Sequence, residues 1–141
     1  MTTTSKANKT RWHRLLGSLL EQLLTPVGIS VQCDVQVMVN PPEADILLLR
    51  RQTQHWTEEQ LLRLPSGIRE SSAKHILLEF KYTESVNDKA LQQTLAYDFF
   101  YKRANNLPDK QVQSFLISAK TPRSKTLARF AYKESEHQGV Y

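Results

Sequence analysis

Between Arg11 and Leu24 the apolar residues Trp12, Leu15, Leu16, Leu19, Leu20 and Leu23 recur at helical spacing. They predict an amphipathic helix over residues 11–24, ended by Thr25-Pro26 and Gly28. Beyond Gly28 the period shortens to two. Val31, Cys33, Val35, Val37 and Val39 alternate with polar residues, so a strand is expected over 29–40, with Cys33 as a small core residue and Pro41-Pro42 as the stop. Asp45 then opens the unbroken apolar run Ile46-Leu47-Leu48-Leu49, the pattern of an interior strand.

Residues 52–74 are polar apart from Trp56, Leu61, Leu62 and Leu64, which predicts an excursion with a short helix at 57–64 and a break at Pro65-Ser66-Gly67. A third strand is expected from His75 to Tyr82. Alternation there puts Ile76, Leu78, Phe80 and Tyr82 on one face and Leu77, Glu79 and Lys81 on the other. A helical stripe follows over 86–104, made of Val86, Ala90, Gln93, Tyr97, Tyr101 and Ala104 and widened by Leu91, Leu95 and Phe100. Asn105-Asn106-Leu107-Pro108 ends it. Val112 to Ser118 reads as a fourth strand, followed by a basic loop or helix and a short strand around Phe130–Tyr132. Helix, strand, strand, strand, helix, strand is an α/β order, a mixed central sheet flanked by helices.

Length and charge refine this picture. At 141 residues the chain has room for one ordinary core, expected over 11–141, behind a flexible basic segment, 1–10. A single cysteine excludes an internal disulfide and fits a reducing, cytoplasmic compartment. No apolar run reaches the roughly 18 residues of a membrane span, so no membrane association is expected. The net charge of +5 is concentrated at the ends. Lys6, Lys9, Arg11 and Arg14 meet no acid in the first segment, and Lys120, Arg123, Lys125, Arg129 and Lys133 outnumber Glu134 and Glu136 in the last. Basic ends around a slightly acidic middle suit a protein that meets a polyanion and holds a cation; solvated basic termini are the simpler reading.

The chemistry concentrates at Glu79-Phe80-Lys81, where strand alternation brings a carboxylate and an ammonium to one face of an interior strand. Isolated charges there are costly unless they pair with each other or with a metal. Asp45, at the head of the preceding apolar run, is a second carboxylate that could converge on the same cation in the oxygen-rich coordination that magnesium or manganese prefers. Gln93 and Tyr97, one helical turn apart, fall on the stripe expected to face the sheet. A plain Glu79–Lys81 or Asp45–Lys81 surface ion pair with a hydrogen-bonded Gln93 remains the alternative. The four histidines have no mutual metal-ligand spacing and are expected mostly at the surface. No G-x-S-x-G or phosphate-binding loop is present.

Asp45, Glu79-Phe80-Lys81 as a (D/E)-x-K element, and Gln93-Thr94-Leu95-Ala96-Tyr97 as a Q-x-x-x-Y element together resemble the PD-(D/E)xK nuclease superfamily of restriction-endonuclease-like fold, the last element being most similar to its RecB-like and resolvase-like branches. Ala44 stands where the family's pattern has the proline before the aspartate. The resemblance implies an αβββαβ core and a single nuclease-like domain over 11–141. It also implies hydrolysis of DNA phosphodiesters with Mg²⁺ (or Mn²⁺) held by Asp45, Glu79 and the Phe80 carbonyl. Glu21, following Gly17 on the first helix, is a further candidate ligand by the same resemblance. Lys81 would orient the attacking water or offset charge on the phosphate, and Gln93 and Tyr97 would position Lys81 or the DNA backbone. The alternative is a catalytically inactive protein of the same fold that binds DNA or a protein partner. A homodimer would let one site serve each strand of a duplex, with Trp56 and Leu61, Leu62 and Leu64 as the expected interface.

Overall fold

Helix α1 runs Thr3–Leu24 in the computed structural model, which describes residues 3–33, 46–81 and 85–141. It starts well ahead of Arg11 and ends in a single 3-10 turn, Thr25–Val27, capped by Gly28 at φ 83°. Its buried side is rotated off the centre of the leucine stripe. His13, Gly17, Leu20 and Leu24 are buried and Leu16 half-buried, whereas Leu15, Leu19 and Leu23 are 52%, 53% and 40% exposed. Gly17 accounts for the rotation, because a Cβ there would stand 2.8 Å from Cys33 Sγ and 3.2 Å from Leu47 Cδ2. The bare backbone at that position lets the helix lie close against the sheet along the 13–17–20–24 line. His13 is thereby buried, against the expectation of a surface histidine.

Four strands follow: β1 Ile29–Gln32, β2 Ile46–Arg51, β3 His75–Lys81 and β4 Val112–Ser118. They lie in the order β1-β2-β3-β4, antiparallel from β1 to β3 and parallel between β3 and β4. The central strands are covered on both sides, which is why Leu47-Leu48-Leu49 and Ile76-Leu77-Leu78 are continuous rather than alternating apolar runs. The second half of the first expected strand and its Pro41-Pro42 stop lie outside the described residues. Cys33, just beyond β1 at the sheet edge, is exposed rather than part of the core.

On one face of the sheet Leu20 and Leu24 of α1 pack with Ile29, Leu47, Leu49, Ile76 and Leu78. Leu64 and Ile68 of the excursion complete this cluster. They arrive on two short helices, α2 (Glu58–Arg63) and α3 (Ser66–Arg69). Thr57 caps α2 reciprocally with Gln60, whose buried amide Nε2 also donates to the Val27 carbonyl at 2.8 Å. The expected break at Pro65 is itself a helix start, since its carbonyl accepts from the Ile68 and Arg69 N–H groups. Trp56 packs on the same core and donates Nε1 to the Ser71 carbonyl, Leu64 is buried, and Leu62 is 80% exposed. Of the four residues expected to pair two copies, Leu64 is thus buried, Trp56 and Leu61 are half-buried and Leu62 is exposed.

The other face is covered by α4 (Asp88–Asn105), capped by Asn87 at its start and by Asn106 in the left-handed conformation at its end. Leu48, Leu77 and Val112 pack there with Tyr97 and Tyr101. Leu95 (61% exposed) and Phe100 (40%) turn outward instead of widening the buried stripe, because the sheet covers α4 on one side only. After β4 the chain forms α5 (Ser124–Arg129). The final strand expected around Phe130–Tyr132 is replaced by a turn. Ala131 sits at φ 59°, a left-handed conformation that no strand contains, and the N–H of Tyr132 returns to the Leu127 carbonyl.

Candidate active site

Register fixes the surroundings of Glu79. Its Cα partners are Ile46 in β2 and Leu116 in β4, and it shares the α4 face with Leu48 and Leu77. The side chain is 4% exposed. One oxygen, Oε1, lies 3.0 Å from Lys81 Nζ; the other, Oε2, accepts from Thr94 Oγ1 at 2.8 Å. Lys81, two residues along the strand and 15% exposed, is therefore an ion-pair partner on the same face, as alternation requires. Oε1 is buried and accepts no hydrogen bond of good geometry, so its charge is met by Lys81 alone among the described groups.

Thr94 also lies 2.9 Å from the Ala90 carbonyl, and its single proton serves one acceptor at a time. Gln93, one residue earlier, donates Nε2 to Tyr97 Oη at 2.7 Å rather than reaching Glu79 or Lys81. Tyr97 is 3% exposed. Burial raises its phenol above the usual range, the hydrogen bond from Gln93 partly offsets this, and the Glu79 charge adds to it, so the ring stays protonated at neutral pH. Leu77, Glu79, Thr94, Tyr97 and Ser114 line a half-open recess of about 10 Å³, no more than one water in size. Farther along α4, Asp98 accepts from Ser114 Oγ at 2.8 Å and pairs with Lys102 at 2.5 Å, locking the helix to β4.

Of the residues singled out by sequence, the structure brings together Glu79 and Lys81, and beside them Gln93 and Tyr97. Phe80 lies between the first two, half-buried. Asp45 lies outside the described residues, one peptide bond before Ile46, the residue opposite Glu79. Glu21 is not brought to this group: it is exposed on α1, which packs on the other face. Among the described residues no three His, Cys, Asp or Glu side chains cluster as a metal site. Thr94 escaped the sequence reading, although it stands one turn from both Ala90 and Tyr97 on the line that meets the sheet.

This group sits at the carboxyl end of the parallel pair. Ser118 is the Cα partner of Lys81, and the N–H of Ala119 donates to the Lys81 carbonyl at 3.0 Å. Exposed Lys120, Arg123 and Lys125 follow directly. The start of α4 lies at the same end, since Thr94 meets Glu79 while Tyr101, farther along, meets His75 at the beginning of β3. Arg129 of α5 pairs with Asp88 in the first turn of α4. A half-open cavity of about 280 Å³ between β4, α3 and the carboxyl-terminal segment, lined by residues such as Phe115, Ile117, Leu127 and Val140, has no carboxylate, imidazole, amine or guanidinium among its lining side chains.

No family model, no curated protein and no solved structure matches this chain.

Proposed function

We propose that this chain is a divalent-metal-dependent nuclease of the PD-(D/E)xK kind acting on DNA. The observation that carries the reading is the buried Glu79–Lys81 pair, at the strand end where α4 begins and where Lys120 and Arg123 are exposed. Supporting it, the order α1-β1-β2-α2-α3-β3-α4-β4, with three antiparallel strands and a parallel fourth, contains the succession of the αβββαβ core that the motifs imply once the short α2 and α3 between β2 and β3 are set aside.

The donor chemistry fits Mg²⁺ or Mn²⁺. Mg²⁺ is usually held by one or two carboxylates, waters and substrate phosphate oxygens, and Glu79 offers a buried oxygen, Oε1, whose partner among the described groups is the Lys81 ammonium. Asp45 is the second carboxylate. In β2, Leu47 and Leu49 face α1 and Leu48 faces α4, so Asp45 joins Glu79 only if the chain leaves this alternation ahead of Ile46, as at a bulge. The bound ion would polarise the phosphate and lower the pKa of a water. Lys81 would then hold that water or meet the charge growing on the phosphate. Gln93 and Tyr97 brace the α4 wall, and Lys120, Arg123 and Lys125 would contact the DNA backbone.

The test is cleavage of duplex, single-stranded and branched DNA with Mg²⁺ or Mn²⁺. Lys81→Ala should cut at least about a hundredfold more slowly, by analogy with losing one preorganised donor. Glu79→Gln should lose cleavage and metal binding together. A parent protein that cuts no DNA with either ion defeats the nuclease reading. DNA binding without cutting would then take its place, a reading favoured by the engagement of both Glu79 oxygens within the protein.

A further inference from the structure

We infer, resting on the metal-site reading above, that Lys81 is the resident counter-cation of Glu79 and that a divalent ion binds by displacing it. Both oxygens of the carboxylate are committed: Oε2 to Thr94 at 2.8 Å and Oε1 to Lys81 Nζ at 3.0 Å. An ion ligated by Oε1 at about 2.1 Å would crowd an ammonium that approaches the same oxygen, and two cations there repel. The half-open recess beside Glu79 takes about one water, whereas Mg²⁺ keeps several of its own.

Lys81 can leave because it lies at the end of β3 on a flexible four-carbon stem and is 15% exposed, whereas Glu79 is buried at 4%. The exchange gives the lysine two states. Without metal it neutralises a buried carboxylate that would otherwise stand unpaired. With metal it swings toward solvent at the strand end, where a phosphate would meet it. The lysine thus reaches substrate only in a loaded site, which couples metal occupancy to the catalytic group.

Titration calorimetry with Mn²⁺ on the parent, Lys81→Met and Lys81→Arg tests this without reference to cleavage. Lys81→Met removes the competitor and should bind Mn²⁺ on the order of a hundredfold tighter, because the ion then recovers the roughly 3 kcal/mol cost of a buried Glu79 carboxylate left without its partner. Lys81→Arg keeps the competitor and should bind no tighter than the parent. Equal or weaker binding by Lys81→Met, beside measurable parental binding, overturns the displacement and leaves the metal site standing. Binding by neither protein overturns both.

A second measurement uses the unaltered chain, in case Lys81→Met folds poorly. Amine acylation read by mass spectrometry should modify Lys81 several-fold faster at saturating Mn²⁺ than without it. Lys102, held by Asp98 and Asp109, is the internal reference whose rate should not change. An unchanged Lys81 rate with Mn²⁺ bound overturns the displacement.

Discussion

Removing the ammonium of Lys81 while keeping the Glu79 carboxylate isolates the cost of a buried charge. With Glu79 at 4% exposure and Lys81 at 15%, the pair is far from the surface regime of about 0–1 kcal/mol. Breaking a buried pair from one side costs about 3–5 kcal/mol, and the partial exposure of Lys81 places Lys81→Met toward the lower end, about 3 kcal/mol. That is a large share of the roughly 5–15 kcal/mol that holds an ordinary domain together. Adding Glu79→Gln removes the charge, keeps an oxygen for Thr94, and should return the double variant to within about 1 kcal/mol of the parent. Urea unfolding in the presence of a chelator measures all four corners of the cycle. At an m-value of about 1.5 kcal/mol per molar, the single variant's midpoint should fall by about 2 M and the double variant's should recover. If Lys81→Met costs less than about 1 kcal/mol, or if the two changes simply add, the pair is a solvated contact and the electrostatic account of this site is wrong.

Leu64→Ala should cost about 2–5 kcal/mol in the same assay because the side chain is 2% exposed in the α1-face core, while Leu62→Ala, at 80% exposure, should stay within about 0.5 kcal/mol. His75 has its pKa lowered from 6.5 by burial, with Arg50 and Lys74 adding to the effect, and its Nδ1 lies 2.8 Å from Tyr101 Oη, whose own pKa burial raises. Below pH 6.5 the unfolded chain binds a proton that the folded His75 refuses, so stability should fall as pH drops from there toward the folded value. His75→Asn, with an amide oxygen as acceptor, should flatten that slope in pH-dependent unfolding. Titrations of DNA affinity against salt should be linear on logarithmic axes, and Arg123→Ala should reduce the slope by about 1; an unchanged slope would place the DNA elsewhere.

Strand chemistry was legible because its period is short and its boundaries are marked. Val112–Ser118 appears where alternation and the preceding Leu107-Pro108 put it, and Glu79 and Lys81 share a face as alternation demands. The long helices α1 and α4 were equally legible and the short α3 was not, while the rotation of the long ones escaped the pattern. Two adjacent lines on α1 are both apolar enough to be buried, and the choice between them was made by Gly17, whose missing Cβ matters only once Cys33 and Leu47 stand opposite. The same uncertainty on α4 hid Thr94. Gln93 and Thr94 are neighbours in sequence, yet the threonine meets the carboxylate and the glutamine turns to Tyr97. A strand around residues 130–132 failed because the left-handed Ala131 closes the end of α5, a conformation that no β pattern signals.

The two sheet faces divide the work of the domain. On the α1 side the buried contacts are mostly apolar, with Leu20, Leu24, Leu47, Leu49, Ile76 and Leu78 all at 6% exposure or less and His13 and Gln60 as buried polar side chains beside them. On the α4 side the contacts are polar at nearly every turn of the helix: Thr94 with Glu79, Asp98 with Ser114, and Tyr101 with His75. Polar contacts of this kind contribute little net stability each, roughly 0.5–1.5 kcal/mol, but each fixes one side chain relative to another. An apolar face that holds the fold leaves the opposite face free to carry groups that are poor core material. That division explains why an ion pair as costly as Glu79–Lys81 persists in a domain of 141 residues. It also locates where substitutions should separate stability from activity. Changes on the α1 face should unfold the protein before they alter its chemistry, whereas a change at Thr94 should alter the chemistry of a chain that still folds.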